Sequence, residues 1–260
     1  MLSVIAIAAI VFLGTGSALA DSINVSAAVS TKESITDIAK AYEAQTHDRV
    51  NLTFGSSGQL AAQIKNGAPV DLFISAAVKE VDDLSRAGLV DDAKRRVVAS
   101  NELVLIVPAD AQARMSSFEQ LKNAGVKRVA VGEPKTVPAG QYAMQVLTKL
   151  HLADELSPRL IYGANVRQVL DYVERGEVSA GIVYCTDAIQ AGSKVKVVAT
   201  AKASMHEPIV YLAAIIKNSG KKASAEKFLD YVASDKGWSI LAAHGFTRPA
   251  GAVAATAPSK

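Results

Sequence analysis

A single cysteine, Cys185, stands in 260 residues, so no internal disulfide can brace the fold. Histidine is almost as sparse, with four residues at positions 47, 151, 206 and 244. No His-x-x-x-His, Cys-x-x-Cys or phosphate-binding P-loop is present, which removes the common zinc, redox and nucleotide signatures. Aromatics make up only 5% of the chain. The 28 Lys and Arg against 25 Asp and Glu leave a net charge of +3, spread along the chain without a basic stripe, which argues against a nucleic-acid surface. After the first twenty residues no apolar run is long enough to span a membrane. What remains is half hydrophobic and one-fifth charged, the balance of a soluble globular protein with one large domain or two modest ones.

Residues 1–20 lack any charged side chain. An apolar core, Val4 to Leu13, leads through glycines to Ala18-Leu19-Ala20, an A-x-A cleavage pattern. The segment reads as a signal peptide cut before Asp21. The usual basic residue is missing from Met1-Leu2-Ser3, as expected if the true start codon lies slightly upstream. No cysteine follows the apolar run, so a lipid anchor there is excluded and a freely diffusing periplasmic monomer is expected.

Along the mature chain, β-like runs alternate with amphipathic ones. Strands are expected at Ile23–Val29, Arg49–Phe54, Val70–Ser75, Glu102–Val107, Val126–Val131, Ala180–Tyr184 and Glu207–Ile216. Ile35, Ile38, Ala39 and Tyr42 form a helical stripe, as do Val166, Val169, Leu170 and Val173. Ser30-x-x-Glu33 and Ser56-x-x-Gln59 both fit a capping box, Pro138 suits a helix start, and Asn165 is a good N-cap. Helices are also expected near Phe118–Asn123 and at the C-terminal end up to Gly245, with a disordered tail at 251–260. The alternation predicts an α/β fold with mostly parallel sheets flanked by helices. No internal repeat is evident.

In such folds ligands bind beyond the carboxyl ends of strands. Five of the expected strand-to-helix turns carry small or donor residues there: Ser30, Ser56-Ser57, Val137-Pro138-Ala139, Asn165-Val166 and Tyr184. The second, Phe54-Gly55-Ser56-Ser57-Gly58-Gln59-Leu60, is the most distinctive, with two glycines bracketing two serines. Each turn alone is an ordinary capped helix start; together they suggest a site assembled from helix N-termini, which offer free N–H donors and partial positive charge. The turn tips present hydroxyls and amides, with no carboxylate. A donor-only shell leaves no acceptor for a ligand proton, which favours a fully ionised tetrahedral oxyanion over hydrogen phosphate.

These turns resemble those of the periplasmic molybdate-binding proteins of ABC transporters. The similarity runs in order through Ala27-Ala28-Val29-Ser30, the Phe54–Gly58 turn, Gly67-Ala68-Pro69-Val70-Asp71-Leu72-Phe73-Ile74-Ser75, Val137-Pro138-Ala139-Gly140, Asn165-Val166-Arg167-Gln168 and Ala180-Gly181-Ile182-Val183-Tyr184. It implies a two-lobed type II binding-protein fold with a ligand cleft between lobes: residues 21–102 with 207–250 as one lobe, 103–206 as the other. The chain would cross near Asn101–Val104 and again near Ser204–Pro208. The resemblance assigns the oxyanion to Ser30 and Ser57 through hydroxyl and amide, Ala139 and Val166 through amides, and Tyr184 through its phenol. It holds molybdate or tungstate by its oxygens with no direct metal ligation and no cofactor. Delivery would be to a membrane permease with a cytoplasmic ATPase. Val29 and Ala77 depart from the family pattern, though neither is a ligand position.

Two other readings follow from the same residues. Gly55-Ser56-Ser57-Gly58-Gln59 approaches the nucleophile elbow of a serine hydrolase, but the pattern fails at Gln59 and no histidine is expected nearby. A receptor of the same fold for sulfate is the closer rival, since sulfate too is a proton-free dianion. A ferric site would need more than one tyrosine and a carboxylate. A sensory domain would lack an attached DNA-binding or transmembrane segment. Cys185 reads as a small, partly buried thiol, with a redox role as the alternative.

Overall fold

The computed structural model describes residues 21–111 and 115–249; the expected signal peptide and tail lie outside the described residues. The chain forms two five-stranded sheets. The first has the order β2 (Arg49–Gly55), β1 (Ser22–Ala28), β3 (Leu72–Ser75), β10 (Val210–Ile215), β4 (Arg96–Ser100). The second has the order β7 (Leu160–Gly163), β6 (Val129–Gly132), β8 (Ala180–Tyr184), β5 (Leu103–Pro108), β9 (Val195–Thr200).

Both sheets share one plan. Three parallel neighbours are followed by one reversed strand, β10 or β5, and by an edge strand running with the first three. The expected mostly parallel character therefore holds for strand direction, although each sheet is mixed. The crossings follow the same plan: the edge strand β4 leads into the reversed strand of the other sheet, β5, and β9 leads back into β10. A repeat invisible in the sequence is thus present in the topology.

Helices α1 (Lys32–Thr46), α2 (Ser57–Lys65) and α3 (Val78–Arg86) connect the strands of the first sheet. Helices α4 (Pro138–Lys149), α5 (Ala153–Leu156), α6 (Val166–Glu174) and α7 (Cys185–Ala191) do so for the second, and α8 (Lys222–Ala233) and α9 (Asp235–Ala243) close the chain. The stripes on α1 and α6 are buried as their spacing predicts. Strand β5 is buried at every position, as befits a run of continuous apolar residues between two neighbours.

Several local expectations are corrected. Ser30 does not cap α1: it sits in a 3-10 turn, Val29–Thr31, Thr31 takes the N-cap position with its hydroxyl turned back to Ala28 O rather than onto the helix, and Glu33 pairs elsewhere. Phe118–Lys122 is a 3-10 helix. Strands β4, β7 and β9 are unanticipated, and all three are sheet edges. An edge strand is wet on one side of its ladder, so the sequence need not supply an unbroken apolar run.

Candidate functional site

Each residue assigned by the sequence follows the carboxyl end of a strand: Ser30 after β1, Ser57 after β2, Ala139 after β6, Val166 after β7, and Tyr184 at the end of β8. The first two belong to one sheet and the last three to the other. All are buried, with exposures of 3%, 1%, 0%, 3% and 1%.

Local sequence explains the placements. Ser56 is the N-cap of α2 and accepts from the Gln59 amide at 3.4 Å, which leaves Ser57 as the first helical residue. Asn165 caps α6 in the same way, accepting from the Gln168 amide at 3.0 Å, so Val166 is again first. Pro138 opens α4 with its pre-set φ, and Ala139 is second. The first amide of each of these helices, on Ser57, Ala139 and Val166, has no helical carbonyl behind it and is left to donate elsewhere.

The hydroxyls have defined partners. Ser57 Oγ accepts from the amide of Ala76 at 3.0 Å, just beyond β3. Ser30 Oγ lies 2.9 Å from the Tyr211 hydroxyl. Tyr184 packs its ring 6.0 Å from that of Tyr211, and its own hydroxyl, fully buried, has no hydrogen-bond partner among the described residues. Burial, then the neighbouring Tyr211, pushes the Tyr184 phenol well above its ordinary value, so it keeps its proton and has it to donate.

The two lobes meet directly around these turns. Gly58 N donates to Thr136 O at 3.0 Å, joining the serine turn to the turn before α4. Helix α6 packs on the Ser30 turn. Beside Val166, the Arg167 guanidinium forms a bidentate pair with Glu33 on α1, at 3.1 and 2.6 Å, and lies 2.7 Å from Asp187 Oδ1 on α7. The Asp187 contact is close yet poorly aligned, and neither atom satisfies hydrogen-bond geometry. Burial pushes the Asp187 carboxyl up to about 6 even though Arg167 pulls it down. Burial also works against the Arg167 charge, but Asp187 and Glu33 outweigh it and the group stays cationic. Glu80 on α3 accepts from Gln141 Nε2 on α4 at 2.9 Å, and its second oxygen is buried without a partner.

The structure therefore sets the serine turn against the turn before α4, and the Ser30 turn against α6 and, through Tyr211, beside Tyr184. These turns carry hydroxyls and backbone amides, and the nearby Arg167 is turned onto the carboxylates of Glu33 and Asp187. Tyr211, Arg167 and Asp187 pack around these turns and were not expected as site neighbours from the sequence. A tyrosine inside the apolar run Ile209–Ile216 was the available signal for Tyr211, because a buried phenol needs a partner. The serine turn shows no hydrolase arrangement, since Ser57 Oγ bonds a backbone amide and no described histidine bonds a serine hydroxyl.

Comparison with known proteins gives a consistent picture. Residues 23–247 match the model of the bacterial extracellular solute-binding protein family. A candidate ABC transporter substrate-binding lipoprotein of Bacillus subtilis, YvgL, is 39% identical over 227 residues, covering 86% of each chain. The molybdate-binding protein ModA of Haemophilus influenzae is 38% identical over 241 residues, 90% of this chain and 93% of that one. Among solved structures, the periplasmic molybdate-binding protein of Azotobacter vinelandii superposes with a TM-score of 0.79 at 30% identity, covering 87% of this chain and 99% of that one.

Proposed function

The chain belongs to the family of bacterial extracellular solute-binding proteins, and we propose that it is the receptor that captures molybdate in the periplasm for an ABC transporter. The observation that supports this reading is the Tyr184 hydroxyl, buried at the lobe boundary without a protein partner among the described residues, with the buried residues Ser30, Ser57, Ala139 and Val166 on the neighbouring turns. A buried dianion needs many charge-assisted hydrogen bonds to offset its desolvation, each worth about 1.5–3 kcal/mol. Ser30 and Ser57 supply hydroxyl and amide, Ala139 and Val166 supply amides, and Tyr184 supplies its phenol. The metal is cargo, touched only through its oxygens.

Closure is the mechanism. In this reading residues 21–102 with 207–250 form one lobe and residues 103–206 the other, joined by the two crossings. The ligand bonds to both lobes at once, so it stabilises the closed form by its preference for that form alone. Tungstate, with the same charge and shape, binds too. The closed monomer then docks on a membrane permease, and hydrolysis by the cytoplasmic ATPase drives release. The role is binding, with no catalytic step. Titration calorimetry tests it: one molybdate per chain is expected, with sulfate and phosphate far weaker. Equal heat from sulfate would make the chain a sulfate receptor of the same fold.

A further inference from the structure

Resting on the oxyanion site just described, a chain of hydrogen bonds behind Ser30 has a direction that can be worked out atom by atom. Asn101 lies on the first crossing, between β4 and β5. Its Oδ1 accepts from the Glu102 amide at 2.9 Å, and a backbone N–H can only donate, so the carboxamide orientation is fixed. Its Nδ2 then faces Thr186 Oγ1 at 2.8 Å and the Tyr211 hydroxyl at 3.2 Å, one proton for each. Tyr211 is fully buried and receives Asn101's proton, so its own proton goes to the remaining neighbour, Ser30 Oγ at 2.9 Å. The opposite direction would leave the Tyr211 proton buried without an acceptor, at the full desolvation cost.

We propose that Tyr211 and Asn101 are positioning residues that fix the Ser30 hydroxyl as a donor and so make the site reject oxyanions that carry a proton. With Tyr211 donating to one lone pair of its oxygen and no other acceptor bonded to it among the described residues, Ser30 has its own proton free for the ligand. Ser57 reaches the same state by a simpler device, since the Ala76 amide occupies its oxygen. With the Tyr184 phenol protonated, the three side chains of the site all donate. A proton on hydrogen phosphate would find a donor facing it wherever a serine stands.

Tyr211→Phe tests this, because the ring that packs edge-on against Phe246 at 5.1 Å is kept while the relay is cut. Molybdate and phosphate affinities are compared in mildly alkaline buffer, where phosphate is a dianion that still holds one proton. The preference for molybdate over phosphate is expected to narrow about tenfold, and the double variant with Ser30→Ala should bind no worse than Ser30→Ala alone. Asn101→Asp is the second variant: a carboxylate takes the Tyr211 proton, reverses the chain and draws the Ser30 proton away, so molybdate affinity should fall further than in Tyr211→Phe. A wild type that binds molybdate while Tyr211→Phe leaves the preference unchanged, or adds its full cost to Ser30→Ala, overturns the relay alone. A wild type that binds neither anion removes the site reading and the relay with it.

Discussion

The amide of Gly58 donates to the carbonyl of Thr136 at 3.0 Å, and a Cβ on Gly58 would stand 2.6 Å from that same oxygen. The lobes thus meet backbone to backbone at this point, with no room for a side chain. Gly58→Ala should leave the unliganded fold intact and prop the lobes apart. An affinity loss of about 1–3 kcal/mol is expected, in the range of other overpacked contacts. Titration of the variant checks this, and unchanged affinity would mean the contact is dispensable for closure.

Ser30→Ala and Ser57→Ala should each weaken molybdate binding by about 1.5–3 kcal/mol, the cost of losing a hydrogen bond to a charged group. Each also strands a buried donor, the Tyr211 hydroxyl in one case and the Ala76 amide in the other, so the unfolding midpoint without ligand should drop as well. Calorimetry and thermal scans together separate the two effects.

Val166→Pro isolates one amide. Val166 is the first residue of α6, a position where proline is tolerated, and Asn165 before it is already extended at φ −159° and ψ 171°. The helix should survive while its first donor is removed. Circular dichroism should be nearly unchanged and oxyanion affinity largely lost; tight binding by this variant would take Val166 out of the site.

Asp187 sets a pH dependence. Burial raises its carboxyl from 3.8 to about 6, so the folded chain holds this proton more firmly than the unfolded chain. Its contribution to stability is complete below the ordinary value and is lost as pH rises through about 6. Denaturant midpoints across that window should fall with rising pH in the wild type and fall less in Asp187→Asn. Identical slopes would show that the group does not titrate there.

The small-residue turns were legible because they are local: a strand end, a cap and a helix start lie within a few residues, as at Ser56-Ser57 and Asn165-Val166. So were the buried stripes of α1 and α6, whose period is set within one helix. The edge strands β4, β7 and β9 were not, because half-wet strands carry no continuous apolar signal. Nor was the network behind Ser30, whose partner Tyr211 is 181 positions away. A Ser-x-x-Glu match at Ser30 pointed to a capping box, but the local pattern was overridden when tertiary contacts gave the serine to Tyr211 and Glu33 to Arg167. The shared strand order of the two sheets was equally hidden, since topology repeats here without sequence repeating.

The most direct test is thermal unfolding of the purified chain with molybdate, tungstate, sulfate and phosphate in turn. Ligand at a hundred times its dissociation constant adds about 2.7 kcal/mol, which at this size raises the midpoint by roughly 5–10 °C. Molybdate and tungstate should each give that shift, with sulfate and phosphate giving little. No shift with any of the four anions would contradict the convergence of Ser30, Ser57, Ala139, Val166 and Tyr184 on an oxyanion.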